Sequence, residues 1–362
     1  MPKNIIYCAD GTWSHPNERK DGKLADTNVR RFFDALPENS LSQVKIYDPG
    51  VGTQGGKLSR LFGGAFGDGL IQNVKEGYQQ IASVYEPGDK IYLVGFSRGA
   101  YTARSIAGMI ASVGLPAKNK VGAQAIEDAF LAYRDTQGDR HLRMLNLAQK
   151  YGNTATPIEA VGVWDTVGAL GIPGGLFANW DQQHYGFLDT TLHPNVKAGF
   201  HAIAIDEKRR AFAPTLWTPP FAPDQKIKQI WFPGVHGDVG GGYPDSGPAD
   251  ITFGWMMRQM CGVGVTFKPH LLQKYAQSDP KAALGALHDS WSPFWWIPKL
   301  RDIAKDATLS NSVPIRMQNS AYRPQNLAAD FPASACGYGI ENTIPNTPLL
   351  NCSRDKKAGV SL

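Results

Sequence analysis

The chain has 362 residues, 42% apolar and 19% charged, with a formal net charge of +5 and a sequence pI near 8.9. That balance supplies a core and excludes a disordered chain; without a Lys/Arg block, the mild basic excess marks a solvated surface or an affinity for anionic membranes, and no nucleic acid is expected. The four cysteines, Cys8, Cys261, Cys336 and Cys352, form no CxxC pair, so zinc-ribbon and thioredoxin-like chemistries lack support.

The N-terminal stretch MPKNIIYCADGTW enters a strand within a few residues. It contains no hydrophobic segment of signal-peptide length, and no apolar run is long enough to span a membrane. The expectation is a chain made in the cytoplasm whose export would need a signal-independent route. NIIYCAD is the first strand and stops at Asp10; Cys8 within it reads as a buried thiol. VKIYDPG is a second strand, ending near Asp48. Residues 52–69 are glycine-rich and read as a mobile loop, without the Lys-Ser/Thr that a P-loop requires. Ile71, Val74, Tyr78, Ile81 and Tyr85 then fall on one helical stripe, which Pro87-Gly88 ends.

KIYLVGFS is a third strand and stops at Ser97 inside Gly95-Phe96-Ser97-Arg98-Gly99. A helix follows at once, with Ala100, Ala103, Ala107 and Ile110 on one face and Gly114-Leu115-Pro116 as its stop. IEAVGVWD ends at Asp165, and IKQIWFPGVH ends at His236. Nearly continuous apolar runs suit strands buried on both faces of a parallel sheet. Strands alternating with helices predict an α/β fold with right-handed crossovers, a mostly parallel central sheet and helices on both faces. This rhythm defines a catalytic unit over residues 1–280. Residues 281–362 lose it, gain prolines and carry SWSPFWWIPKL; they read as an extension packed on the same domain.

Ligands of open α/β sheets bind at the carboxyl ends of the strands, and Ser97, Asp165 and His236 each stand where an apolar run stops. Their order, Ser then Asp then His, is that of α/β-hydrolases. Ser97 would be the nucleophile, His236 its general base, and Asp165 the acid that fixes the imidazole tautomer. The Arg98 amide would be one oxyanion donor, and Gly11 or Thr12 after the first strand the other. Asp10, Trp13, Trp295 and Trp296 are candidate substrate contacts. Asp206 and Asp238 remain alternative acids, and His201 an alternative base. A structural reading stands beside each: strand-end cap for Asp165, satisfied core histidine for His236. Asp10-Gly11-Thr12 also matches part of a haloacid-dehalogenase motif, but Cys8 occupies the place of its nucleophile. Asp238, Asp245 and Asp250 lack EF-hand spacing, so no metal is expected, and no cofactor. Trp291, Phe294, Trp295, Trp296 and Ile297, followed by Lys299, Arg301 and Lys305, form either a membrane-facing segment or packing on the core. Cys336 and Cys352 could bridge in an oxidising compartment.

Several strings together resemble one known family: DGTW, GFSRGAYTAR, VGVWDTVGALG, HAIAIDEKRRAFAP with LW after Thr215, WFPGVHGDVGGGY and PADITFGWM. This colinear set, over about residues 4–260, resembles the type VI secretion phospholipase effector family of the first lipase class. Ser14 stands where that family often has Asn. The resemblance implies an α/β-hydrolase fold, a Ser-Asp-His triad carried onto Ser97, Asp165 and His236, and cleavage of glycerophospholipids. It also implies a lipid or hydrophobic ester as substrate, a membrane surface as its setting, and a secretion-spike or immunity protein as partner. The alternatives are a soluble esterase or depolymerase on non-membrane esters, and a catalytically silent module with the same scaffold.

Overall fold

The computed structural model describes residues 2–11, 19–20, 22–50, 65–135, 139–168, 192–276, 279–293, 297–331 and 337–345. Its centre is a parallel sheet of eight strands: β1 (Asn4–Ala9), β2 (Gln43–Asp48), β3 (Lys90–Phe96), β4 (Ile158–Trp164), β5 (Ala198–Ala204), β6 (Lys226–Phe232), β7 (Thr308–Ser310) and β8 (Gly339–Glu341). The spatial order is β8-β7-β6-β5-β4-β3-β1-β2, every pairing parallel.

The period-two alternation of a strand explains why the apolar runs are continuous. In β1, Ile5 and Tyr7 pack on one face with Ile91, Leu93, Val161 and Val163. Ile6 and Cys8 pack on the other with Tyr92, Val94, Ala160 and Trp164. Each face needs its own cover. The first is covered by α2 (Ala65–Val84), α3 (Arg98–Val113), α4 (Ala123–Arg134) and α5 (Arg140–Tyr151). The second is covered by α1 (Asn28–Ala35) and, after the short α6 (His236–Gly240), by α7 (Gly247–Gly262) and α8 (Pro269–Ala276). The result is an α/β-hydrolase-like fold.

Three expectations are refined. α2 begins at Ala65, inside the stretch read as a glycine-rich loop; the rest of that stretch, 52–64, lies outside the described residues. The stretch carrying His201, not read as a strand, forms the fully buried β5, Ala198–Ala204. Residues beyond 281 supply β7, β8 and α9 (Ser312–Asn319). They bury Leu309, Val313, Met317, Phe331 and Tyr338 against Ile203, Ile205 and Trp231 of the sheet. Two three-residue strands carry too little periodicity to be read from sequence.

Cys8 is a buried free thiol, as expected, and burial holds its pKa well above the ordinary value. Cys261 is disulfide-bonded; Cys336 and Cys352 lie outside the described residues. Among the described residues no helix is long and apolar enough to cross a membrane.

The strand order places the topological switch between β1 and β3. From β1 the chain steps one way to β2, then returns to add β3 on the other side. The crevice at the carboxyl ends of β1 and β3 is where such sheets bind ligands.

Candidate active site

Ser97 follows β3 and caps α3 with φ 57° and ψ −122°. Among the described non-glycine residues, only Ser97 and Asp165 have positive φ. Such angles cost of order 1–3 kcal/mol and persist only where the surroundings impose them. Here they do. A Cβ at Gly95 would lie 2.4 Å from the Gly99 carbonyl oxygen, and one at Gly99 would lie 2.2 Å from that of Ala9 and 2.5 Å from that of Asp10. The glycines flanking Ser97 are therefore a steric condition for seating α3 against the end of β1. The Ser97 amide donates to the Trp164 carbonyl at 3.1 Å, which fixes the turn to β4.

Asp165 ends β4 and is fully buried. Its Oδ2 lies 2.6 Å from His236 Nδ1. His236 opens α6 after β6, so it reaches back across β5 to meet the acid. Burial alone would raise the Asp165 pKa, but Arg301 and the His236 hydrogen bond hold it well below the carboxylate range. The His236 ring lies between Phe96, at 4.5 Å between centroids, and Phe212, edge-on at 4.9 Å. Burial lowers its pKa despite the opposing pull of Asp165, which favours the neutral imidazole that a general base must be. Among the described residues no hydrogen bond joins Ser97 Oγ to His236; such contacts often tighten only when substrate binds.

The rival acids and base sit elsewhere. Asp206 accepts from the Gly234 amide at 2.6 Å and the Tyr322 hydroxyl at 2.7 Å, and burial raises its pKa to about 6. Asp238 pairs with His288 Nδ1 at 2.6 Å. Asp250 pairs with Arg31, so Asp238 and Asp250 turn to different partners. Among the described residues no group of three or more acidic, histidine or cysteine side chains could hold a metal ion.

His201 lies in the core and accepts from the Thr166 amide at 3.1 Å through Nε2, supporting the loop that carries Asp165. Burial, then the nearby Arg104, lowers its pKa to about 3 from the ordinary 6.5. A depressed folded value means that its contribution is fully present above pH 6.5 and lost as pH falls towards 3, at up to ~1.4 kcal/mol per pH unit. Thermal melts from pH 7 to 4 should therefore show a shallower acid decline for His201→Gln than for the parent. Parallel declines would refute this assignment.

The oxyanion loop departs from expectation at two positions. Gly11 does reach the elbow, where a Cβ would lie 3.6 Å from Ser97 Cβ. Its amide, however, donates to its neighbour Asp10 at 2.7 Å and is not aimed at the nucleophile. Asp10, expected at the substrate, is 1% exposed. Its other oxygen accepts from the Thr27 and Tyr47 hydroxyls at 2.6 and 2.7 Å, so its carboxylate anchors the loop. Arg98 is the first residue of α3, where backbone amides point out of the helix end. Thr12, Trp13, Phe294, Trp295 and Trp296 lie outside the described residues. Trp291 is half-buried, whereas Ile297 is 83% exposed.

Two roles escaped sequence reading. Glu207 accepts from the His236 amide at 3.2 Å, from Arg209 Nε at 2.8 Å and from the Ser290 hydroxyl at 2.8 Å. Burial would raise its pKa, but Arg209 brings it down to about 2. Its position in the charged string after β5 was a usable signal. Arg301, read in the sequence with Lys299 and Lys305 as part of a membrane-facing or core-packing run, is instead buried and forks onto both oxygens of Asp165 at 2.6 and 2.9 Å.

A strained serine beside a strand-end Asp–His pair, at the carboxyl edge of a parallel sheet, is suited to nucleophilic acyl transfer. A family model described as the T6SS phospholipase effector Tle1-like catalytic domain matches residues 3–259. The uncharacterized protein YEL023C of Saccharomyces cerevisiae is 29% identical over 245 residues, covering 61% of this chain and 34% of the yeast protein. An uncharacterized protein from Pseudomonas aeruginosa has a TM-score of 0.47 at 18% identity, covering 78% of this chain and 48% of that one. The Tle1 effector bound to the VgrG spike has a TM-score of 0.38 at 18% identity, covering 67% and 51%. The chain thus spans about a third of the yeast relative and about half of each of these two structures.

Proposed function

This chain belongs to the Tle1-like family of type VI secretion phospholipase effectors, through its catalytic domain, and on that premise we propose that it is a serine hydrolase of lipid carboxylic esters, a phospholipase of the A type. The observation that carries this proposal is the 2.6 Å contact between His236 Nδ1 and Asp165 Oδ2, at the sheet edge where Ser97 holds a positive φ.

In this mechanism Asp165 keeps the proton on His236 Nδ1 and leaves Nε2 as the acceptor. Nε2 takes the Ser97 proton as Oγ attacks the ester carbonyl. The oxyanion would be met by the Arg98 amide and by a second amide of the loop that Asp10 anchors; Thr12 is the candidate. The imidazolium then protonates the leaving alkoxide, and water hydrolyses the acyl-enzyme by the reverse sequence. No metal or cofactor enters these steps. The exposed Ile297 and Lys299 would meet the bilayer beside the site. Delivery would follow the family's signal-independent secretion route, with a spike protein as carrier and an immunity protein in the producing cell.

A fluorophosphonate probe should label the chain once, on the peptide containing Ser97. Release of fatty acid from phospholipid vesicles should exceed turnover of short soluble acyl esters. Turnover of short esters without vesicle activity would replace the phospholipase by a soluble esterase. No labelling and no turnover of either substrate would leave a silent module.

A further inference from the structure

We propose that Arg301 is a positioning residue for the catalytic acid, so that the relay is a chain of Arg301, Asp165 and His236 anchored from outside the family-matched segment. The proposal rests on the functional assignment of Asp165 and His236 above. The matched segment ends at residue 259, and Arg301 lies 136 residues from Asp165 in sequence.

The guanidinium is 3% exposed and makes four short hydrogen bonds. Nη1 donates to Asp165 Oδ1 at 2.6 Å and to the Ala204 carbonyl at 2.7 Å. Nη2 donates to Asp165 Oδ2 at 2.9 Å and to the Phe212 carbonyl at 2.6 Å. The Ala204 amide adds a bond to Asp165 Oδ1 at 2.9 Å. A planar fork on a carboxylate fixes its plane as well as its place, which an ammonium cannot do. Asp165 needs such a constraint because its positive φ does not hold itself. The two carbonyls tie the fork to the end of β5 and to the segment carrying Phe212, whose ring packs on His236. One cation therefore sets the acid and one wall of the base.

The charge matters too. An unopposed buried carboxylate would keep His236 protonated, and useless as a base, to higher pH. Among the other groups around His236, Arg209 lowers its pKa and Glu207 raises it. Glu207 accepts the His236 amide and is paired with Arg209. Asp238, on the same short helix, is turned to His288. His201, behind the Asp165 loop, is buried and uncharged. Arg301 is the cation that sits directly on Asp165.

The test is kcat and KM against pH on a soluble short-chain ester, for the full chain and its Arg301→Ala and Arg301→Lys variants. Arg301→Ala should lower kcat by about 100-fold, as expected for a misplaced catalytic group, with KM little changed. The acid limb of kcat/KM should move to higher pH, since the His236 pKa rises when the offsetting cation leaves. Ethylguanidinium should restore activity to this variant and ethylamine should not. Arg301→Lys should keep the acid limb in place and still lose part of kcat, because charge remains and the fork does not. Overturning results are a folded Arg301→Ala with the parental pH profile, or a loss of activity without a limb shift or rescue, which is what a merely structural tie would give. If Arg301→Ala does not fold, Arg301→Lys decides alone: parental kcat would sink the proposal. Loss of all turnover in Ser97→Ala or His236→Ala tests the hydrolase assignment separately.

Discussion

Ser97→Ala is expected to abolish ester hydrolysis by on the order of 10⁴- to 10⁶-fold while leaving the melting temperature unchanged. The two halves of this expectation have separate causes. Chemistry is lost because no other hydroxyl stands at the end of β3 to form the acyl-enzyme. Stability is kept because Ala has the same Cβ, and the Ser97 hydroxyl makes no hydrogen bond among the described residues. Ser97→Gly sharpens the contrast. It should be equally inactive yet more stable, by about 1 kcal/mol, because glycine accepts φ 57° without strain. An active Ser97→Ala protein would end the serine mechanism. A less stable Ser97→Gly protein would mean that the elbow is not strained.

The acid assignment can be read in the same series. Asp165→Asn should cost on the order of 10³- to 10⁴-fold, because an amide no longer holds the histidine tautomer. Asp206→Asn should leave turnover intact, since one amide oxygen can accept from both Gly234 and Tyr322, which already share a single carboxylate oxygen. The opposite pattern would move the acid to Asp206.

Gly99→Ala is expected to be strongly damaging for a single added methyl. The added carbon would lie 2.2 Å from the Ala9 carbonyl oxygen and 2.5 Å from that of Asp10. Those atoms belong to β1 and its end, a strand paired on both sides, so neither a rotamer change nor a loop shift can relieve the clash. Overpacking usually costs 1–3 kcal/mol. Against immovable backbone about 3 kcal/mol or more is expected, which for a chain of this length lowers the melting temperature by roughly 4 °C or more. Activity should fall further than stability, because the same displacement carries Ser97 away from Gly11 and the anchored Asp10. Differential scanning calorimetry and turnover on one sample check both. A variant that melts with the parent would show that α3 does not sit this close to β1.

Glycine spacing, strand ends and chain order were legible because they are local. A run buried on both faces must be apolar throughout, so it announces its own length and its own end; Asp10, Ser97, Asp165 and His236 could each be marked by position alone. Gly95 and Gly99 were legible for the same reason, since a tight strand-to-helix turn is a property of five consecutive residues. What the tertiary structure decided depends on which strand ends become neighbours. Only the β3-β4-β5-β6 order brings His236 across β5 to Asp165 and leaves Asp206 facing Gly234 and Tyr322 instead. Only the folded loop turns the Gly11 amide onto Asp10, because the direction of one N–H is set by the hydroxyls of Thr27 and Tyr47 that hold that carboxylate. Arg301 is the extreme case. Its charge is compensated by a residue 136 positions away, and a pairing at that separation leaves no period, spacing or turn in the sequence around either partner.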